Sequence, residues 1–221
     1  MNRQRLGSFL TAGLLAAGLW AAPVGATLLG VSPGEPTAIY GSLRGEGLNF
    51  DAASGSLTAS GTPLAMVFGG TPVRFGPGAA LSLGFRLDNM GQVTGGRVGN
   101  DFELLGRLDL DGDGTPEYSG MLLSGEILKF GYLDLTATID AMDFLFSPTG
   151  GALAGDFAHS SIAVSMLLEN STFAGSFASD FSSSRIKGKV GPGGLPPQRL
   201  PEPATFWLLA AGLPLLSRRH R

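Results

Sequence analysis

The feature that most restricts what this chain can fold into is a side-chain alternation of period two that returns along its middle. Leu81, Leu83, Phe85 and Leu87 are interleaved with Ser82, Gly84, Arg86 and Asp88. Leu133, Leu135, Ala137 and Ile139 alternate with Asp134, Thr136, Thr138 and Asp140, and Ile162, Val164, Met166 and Leu168 repeat the pattern less regularly. Successive side chains on a strand point to opposite faces, so each run predicts one core face and one wet face. No stretch of residues 27–184 carries a convincing 3.6-residue apolar stripe. Ala53-Ser54-Gly55 separates the apolar runs at 48–50 and 57–59, and Asn89-Met90-Gly91 joins the first alternating run to 92–98. Both read as hairpin turns with glycine at a positive φ. The predicted fold class is all-β, an antiparallel sandwich or barrel. Phe144, Phe146, Phe173, Phe177 and Phe181 read as core residues on their spacing, with a sugar-stacking platform as the alternative.

Glycine agrees with many turns: 35 of 221 residues, about twice its usual share of ~7%, scattered singly and in pairs rather than at a collagen-like period. The absence of cysteine excludes disulfides, thiolate catalysis and cysteine-ligated zinc.

Both ends differ from the body. Arg3 and Arg5 precede an apolar run at 6–19, and Pro23-Val24-Gly25-Ala26 follows. A charged start, a run too short to span a bilayer and small residues at the exit read as a signal peptide with cleavage after Ala26 by signal peptidase. At the other end stand Pro201-Glu202-Pro203, an apolar stretch at 204–216 interrupted by Pro214, and Ser217-Arg218-Arg219-His220-Arg221. As a helix that stretch reaches about 20 Å at 1.5 Å per residue, against a hydrocarbon core of about 30 Å. A marginal anchor stopped by arginines on the cytoplasmic side is suited to being held briefly and then cut away.

The order of Pro-Glu-Pro, apolar run and terminal arginines resembles the PEP-CTERM sorting signal of exopolysaccharide-producing Gram-negative bacteria. The resemblance covers only the last 21 or so residues. It implies recognition at Pro201, Glu202 and Pro203 by exosortase, a membrane-embedded cysteine peptidase, with Arg218, Arg219 and Arg221 as the stop signal. Release would be toward the cell surface. The family shares a tail and not a body, so the resemblance carries no activity; the alternative is an ordinary C-terminal membrane anchor.

With both signals removed, ten basic residues face 17 acidic ones, a net charge of −7. Such a body lacks the basic footprint that nucleic acid or an anionic membrane surface would require. The expected organisation is a signal peptide at 1–26, a β-rich globular domain at 27–181, a Ser/Gly/Pro linker at 182–200 and the sorting tail at 201–221. The linker is read from Ser182-Ser183-Ser184 and from the Gly- and Pro-rich stretch at 188–197, which bury too little apolar surface to order themselves.

The strongest candidate for chemistry is Asp109-Leu110-Asp111-Gly112-Asp113-Gly114-Thr115-Pro116-Glu117. It resembles the first half of an EF-hand-type calcium loop. On that resemblance Asp109, Asp111 and Asp113 supply carboxylates at positions one, three and five, Gly114 turns the chain, Thr115 offers its carbonyl and Glu117 a direct or water-mediated oxygen. Position twelve is Gly120, where the family has a bidentate glutamate. Calcium is the candidate cofactor, and a metal-free acidic hairpin loop between 102–108 and 121–128 is the alternative. His159, the one histidine of the body, stands beside Ser160 and Ser161 without a Gly-x-Ser-x-Gly elbow, and reads as a polar surface residue rather than a triad member. Asp140 and Asp143, with Glu126 and Asp134, could suggest a glycosidase, but the alternation puts Asp134 and Asp140 on the wet face, where solvated carboxylates are expected. Asn170-Ser171-Thr172 reads as a turn.

The leading functional expectation is an exported, tail-processed, non-enzymatic protein of the cell surface or extracellular matrix, associated with exopolysaccharide and touching membrane only through its removable ends. A calcium-dependent carbohydrate-binding module is the second reading, although both tryptophans lie in the signals. A secreted hydrolase is the third.

Overall fold

The alternation at 81–88 holds for its large side chains: Leu81, Leu83, Phe85 and Leu87 are buried while Arg86 is exposed. The computed structural model in which this is seen describes residues 27–195 apart from Ala158. The signal segment with Ala26, the sorting tail with Pro201, Glu202, Pro203, Arg218, Arg219 and Arg221, and the helices expected at both ends lie outside the described residues. Among the described residues no helix is long and apolar enough to cross a membrane.

The strands in chain order are β1 (Thr37–Gly41), β2 (Gly47–Asp51), β3 (Ser56–Phe68), β4 (Thr71–Arg74), β5 (Ala80–Leu87), β6 (Val93–Gly96), β7 (Phe102–Leu108), β8 (Tyr118–Thr136), β9 (Ile139–Gly150), β10 (Ser161–Ser171) and β11 (Phe181–Gly193). Every pairing is antiparallel, and β3, β5, β7, β8, β9, β10 and β11 follow one another around a ring. The ring closes through a stave made of two short strands end to end. β1 bridges Ala38–Gly41 to one half of β11 and to Thr62–Met66 of β3, and β2 bridges Leu48–Phe50 to Ser183–Phe181 and to Leu57–Ala59. The result is an antiparallel barrel of eight strands, so of the two expected architectures the barrel is found. β4 and β6 are flaps on β3 and β5. The two expected hairpins are present, with Gly55 and Gly91 both in the left-handed region.

An eight-stranded barrel has an interior that side chains can fill, and here phenylalanine fills it. Phe50, Phe85, Phe102, Phe144, Phe146 and Phe177 are each at most 2% exposed. Rings meet edge-on or tilted, Phe50 with Phe177 at 5.2 Å and Phe173 with Phe181 at 4.7 Å. Such contacts add about 0.5–1.5 kcal/mol per pair beyond area burial. All five phenylalanines expected in the core are there.

Two expectations are overturned. The first is the linker at 182–200: through Gly193 that segment is β11, which pairs with β10 along its length and with both β1 and β2. Its apolar content is low, but Phe181, Ile186 and Val190 point inward. Its glycines are there for close approach. A Cβ at Gly188 would run into the Ser165 carbonyl and lie 2.7 Å from the Tyr40 hydroxyl, and one at Gly191 would run into the Gly34 carbonyl. The folded domain therefore extends beyond residue 181, to at least Gly193.

The second concerns 133–140. Leu133, Leu135 and Ile139 are exposed, while Asp140 is only 1% exposed. The inward face of β8 is set upstream by Phe130 and Tyr132, which pack on Phe144 and Phe177. The register of β8 on β9 shifts at three places, including between Asp134 and Thr136. From Phe130 to Asp134 the register is unbroken, so strict alternation puts Leu133 outside, opposite Ala141, and Asp140 inside with Met142 and Phe144.

Residues 27–36 lie across the outside of β8–β10. Leu29 and Val31 cover Leu145 and Ala163, and Asp143 accepts hydrogen bonds from the amides of Gly30 (2.8 Å) and Val31 (3.3 Å).

Candidate functional site

The acidic loop connects β7 to β8 and is exposed apart from a half-buried Asp109. Its shape is set by aspartates turned on the loop's own amides. Asp109 accepts from Gly112 N at 2.7 Å and, through its other oxygen, from Gly114 N at 2.9 Å. Asp111 accepts from Asp113 N and Asp113 from Thr115 N, while Glu117 reaches back to Leu110 N at 2.6 Å. Short polar side chains that bond to nearby amides in this way favour tight turns.

Asp109, Asp111 and Glu117 each present a carboxylate oxygen within 4.8 Å of the others. Three anionic oxygens so close repel one another unless a cation lies between them, and hard oxygen donors suit calcium. Of the expected ligand set, the structure brings these three together. Asp113 lies outside the group, its carboxylate used on Thr115 N. Among the described residues no further acid joins the group.

The serine–histidine candidate lies at the start of β10. His159 is exposed on the rim of an open depression of about 530 Å³ shared with Ser160 and Ser161, and no hydrogen bond joins it to either serine among the described residues. The acid pair of the glycosidase reading is separated as well. Asp140 and Asp143 lie three apart on β9 and face opposite sides of the barrel wall, Asp140 inward and Asp143 under the N-terminal strap. Glu126 belongs to a different pair. Burial first, then the charge and hydrogen bond of Asp101, raise its proton affinity above the usual carboxylate range. Asp101 itself is 1% exposed and accepts from the amides of Arg97 (2.7 Å) and Ile127 (3.0 Å). Next to Asp101, Arg97 forms an ion pair with Glu103 at 3.3 Å. Sequence pattern offered no signal for Asp101, which stands in a loop just before β7.

Asp143 is also pushed upward, by burial first and with the Gly30 and Val31 amides opposing it. Asn170 and Ser171, expected in a turn, are the last residues of β10, with Asn170 in the left-handed region at φ 55°.

No family model matches the chain, and no curated protein or solved structure matches it significantly.

Proposed function

We propose that this is an exported, non-enzymatic protein of the cell surface or extracellular matrix, sorted by cleavage at its C-terminal tail and resident in or on exopolysaccharide. The observation that carries the reading is the order Pro201-Glu202-Pro203, apolar stretch, Arg218-Arg219-Arg221. A greasy segment of that length is a poor permanent anchor and a serviceable temporary one. Signal peptidase and exosortase would be the processing partners. The barrel supports the reading in one respect: its interior is taken up by phenylalanine side chains, as suits a body that is displayed.

The acidic loop favours a second reading, a calcium-dependent carbohydrate-binding module. Asp109, Asp111 and Glu117 would hold the ion, with Asp113 and the Thr115 carbonyl adding outer support. The ion would supply a fixed positive charge able to take up sugar hydroxyls. Calcium-dependent sugar retention on an exopolysaccharide column separates this from the first reading.

The test of the first is the intact mass of the protein recovered from its host's surface. A chain that begins at Thr27 and lacks 204–221 is expected. A mature mass that still contains the three tail arginines would overturn the reading.

A further inference from the structure

Three aspartates are buried in this barrel, and the fold treats one of them differently. Asp101 and Asp143 each receive two backbone amides. Asp140 is equally deep, yet neither of its carboxylate oxygens has a hydrogen-bond partner among the described residues. A buried carboxylate without donors costs several kcal/mol unless a positive species meets it.

The surroundings say which species fits. Asp140 opens β9 on its inward face, and its cross-strand neighbour on β8 is a second acid, Asp134. Like charges placed opposite each other in an antiparallel pair are destabilising. Asp134 is exposed at the barrel rim, against Gly175 of the segment between β10 and β11, so the pair is open to solvent at one end and closed at the other. Burial raises the proton affinity of Asp140 and the charge of Asp134 adds to the rise, while Ser171, buried at the end of β10, and the Leu135 amide oppose it from nearby without completing a hydrogen bond. A single proton shared with Asp134 would satisfy one oxygen of Asp140 and leave the other orphaned. A cation held by both oxygens satisfies the whole carboxylate, and its second charge balances Asp134.

We propose that the barrel mouth holds a hard divalent cation, calcium above all, between both oxygens of Asp140, the carboxylate of Asp134 and the Ser171 hydroxyl. The donors are all oxygen, with no histidine or cysteine, which selects calcium-type ions over zinc. The site is separate from the acidic loop, which joins β7 to β8 and contributes none of these residues. It pins the start of β9 to the ends of β8 and β10, so its ion would act as a structural staple at that end of the barrel.

The experiment uses the full chain with the loop neutralised by Asp109→Asn and Asp111→Asn, and terbium as the probe, displaced by calcium. Tyr132 precedes Asp134 by two residues on β8, about 7 Å at strand rise, and serves as the sensitiser. The loop-neutralised chain is expected to keep one terbium site excited through tyrosine. Adding Asp134→Asn, an exposed change that leaves the core intact, should weaken it roughly tenfold or more through the lost ligand charge, and Asp140→Asn should abolish it. Tyr132→Phe should remove the sensitised emission while calcium still raises the melting temperature. If the loop-neutralised chain binds no terbium, or if Asp134→Asn leaves its affinity unchanged, the pair shares only a proton and the proposal fails. Should Asp140→Asn not fold, the Asp134→Asn result decides alone.

Discussion

Substituting Gly188 by alanine asks directly whether residues 181–193 are a barrel strand or a tether. In a tether an added methyl group would meet only water, and the change would fall within about ±0.5 kcal/mol. In the barrel, the new Cβ meets the Ser165 carbonyl well inside the 3.0 Å that real Cβ atoms keep, and lies 2.7 Å from the Tyr40 hydroxyl. The carbonyl is backbone of β10 in its register with β11, where Met166 faces Gly188, and cannot swing aside as a side chain could. Relieving the clash means separating β10 from β11 locally, an overpacking cost of about 1–3 kcal/mol. The Tyr40 hydroxyl donates to that same carbonyl at 3.1 Å, and losing this buried bond adds about 1 kcal/mol. Together these make roughly 2–4 kcal/mol, which lowers the melting temperature of a domain this size by about 5–15 °C. Urea unfolding followed by circular dichroism measures it, with Gly194→Ala as the control, because a Cβ there meets nothing within 4 Å. If Gly188→Ala unfolds at the same urea concentration as the parent and the control, β11 is not part of the barrel wall.

Calcium at about ten times its dissociation constant for the acidic loop should stabilise the fold by about 1.4 kcal/mol, and Asp109→Asn with Asp111→Asn should remove that share of the melting shift; an unchanged shift would mean the loop binds no ion. For Asp143 the sign follows from burial, which raises its folded-state proton affinity above that of the unfolded chain. Its contribution is complete below the ordinary carboxylate range and declines as pH rises through the raised folded value. Asp143→Asn keeps an acceptor for Gly30 N and Val31 N but cannot ionise, so its urea midpoint should fall less steeply over that window than the parent's. Parallel pH profiles for the two proteins would show that Asp143 does not titrate as its burial requires.

What the amino-acid pattern could show depended on which residues of an alternating run reach the core. At 81–88 β5 runs against β3 without interruption, and the alternation sorted the large side chains between core and surface. On β8 the inner face is that of Phe130 and Tyr132, opposite to Leu133 and Leu135, so a face read from 133–139 alone was the wrong one, and Asp140 was assigned to water. Composition misled at β11 for another reason. Serine and glycine there look like a segment with nothing to bury, yet Gly188 and Gly191 are small because neighbouring backbone passes where a side chain would stand. That requirement comes from residues far away in sequence, Ser165 and Gly34, and no local window contains it. The acidic loop was legible because its contacts are local: all five of its hydrogen bonds join residues within seven of one another.

The placement of β11 also changes the physical picture of the proposed sorting step. Because the barrel wall continues to Gly193, the chain between it and Pro201 is residues 194–200, which extended fully reaches no more than about 23–25 Å at 3.3–3.6 Å per residue. A free segment from residue 182 would have allowed more than twice that reach. A membrane-embedded peptidase acting at Pro201-Glu202-Pro203 would therefore work with the barrel close above it, and β11 could not lend it slack without leaving β1, β2 and β10 together. In that scheme β11, which pairs with β10 and with both short strands of the closing stave, would also carry the tail, so a fold that left β11 unpaired would be felt first at the processing site.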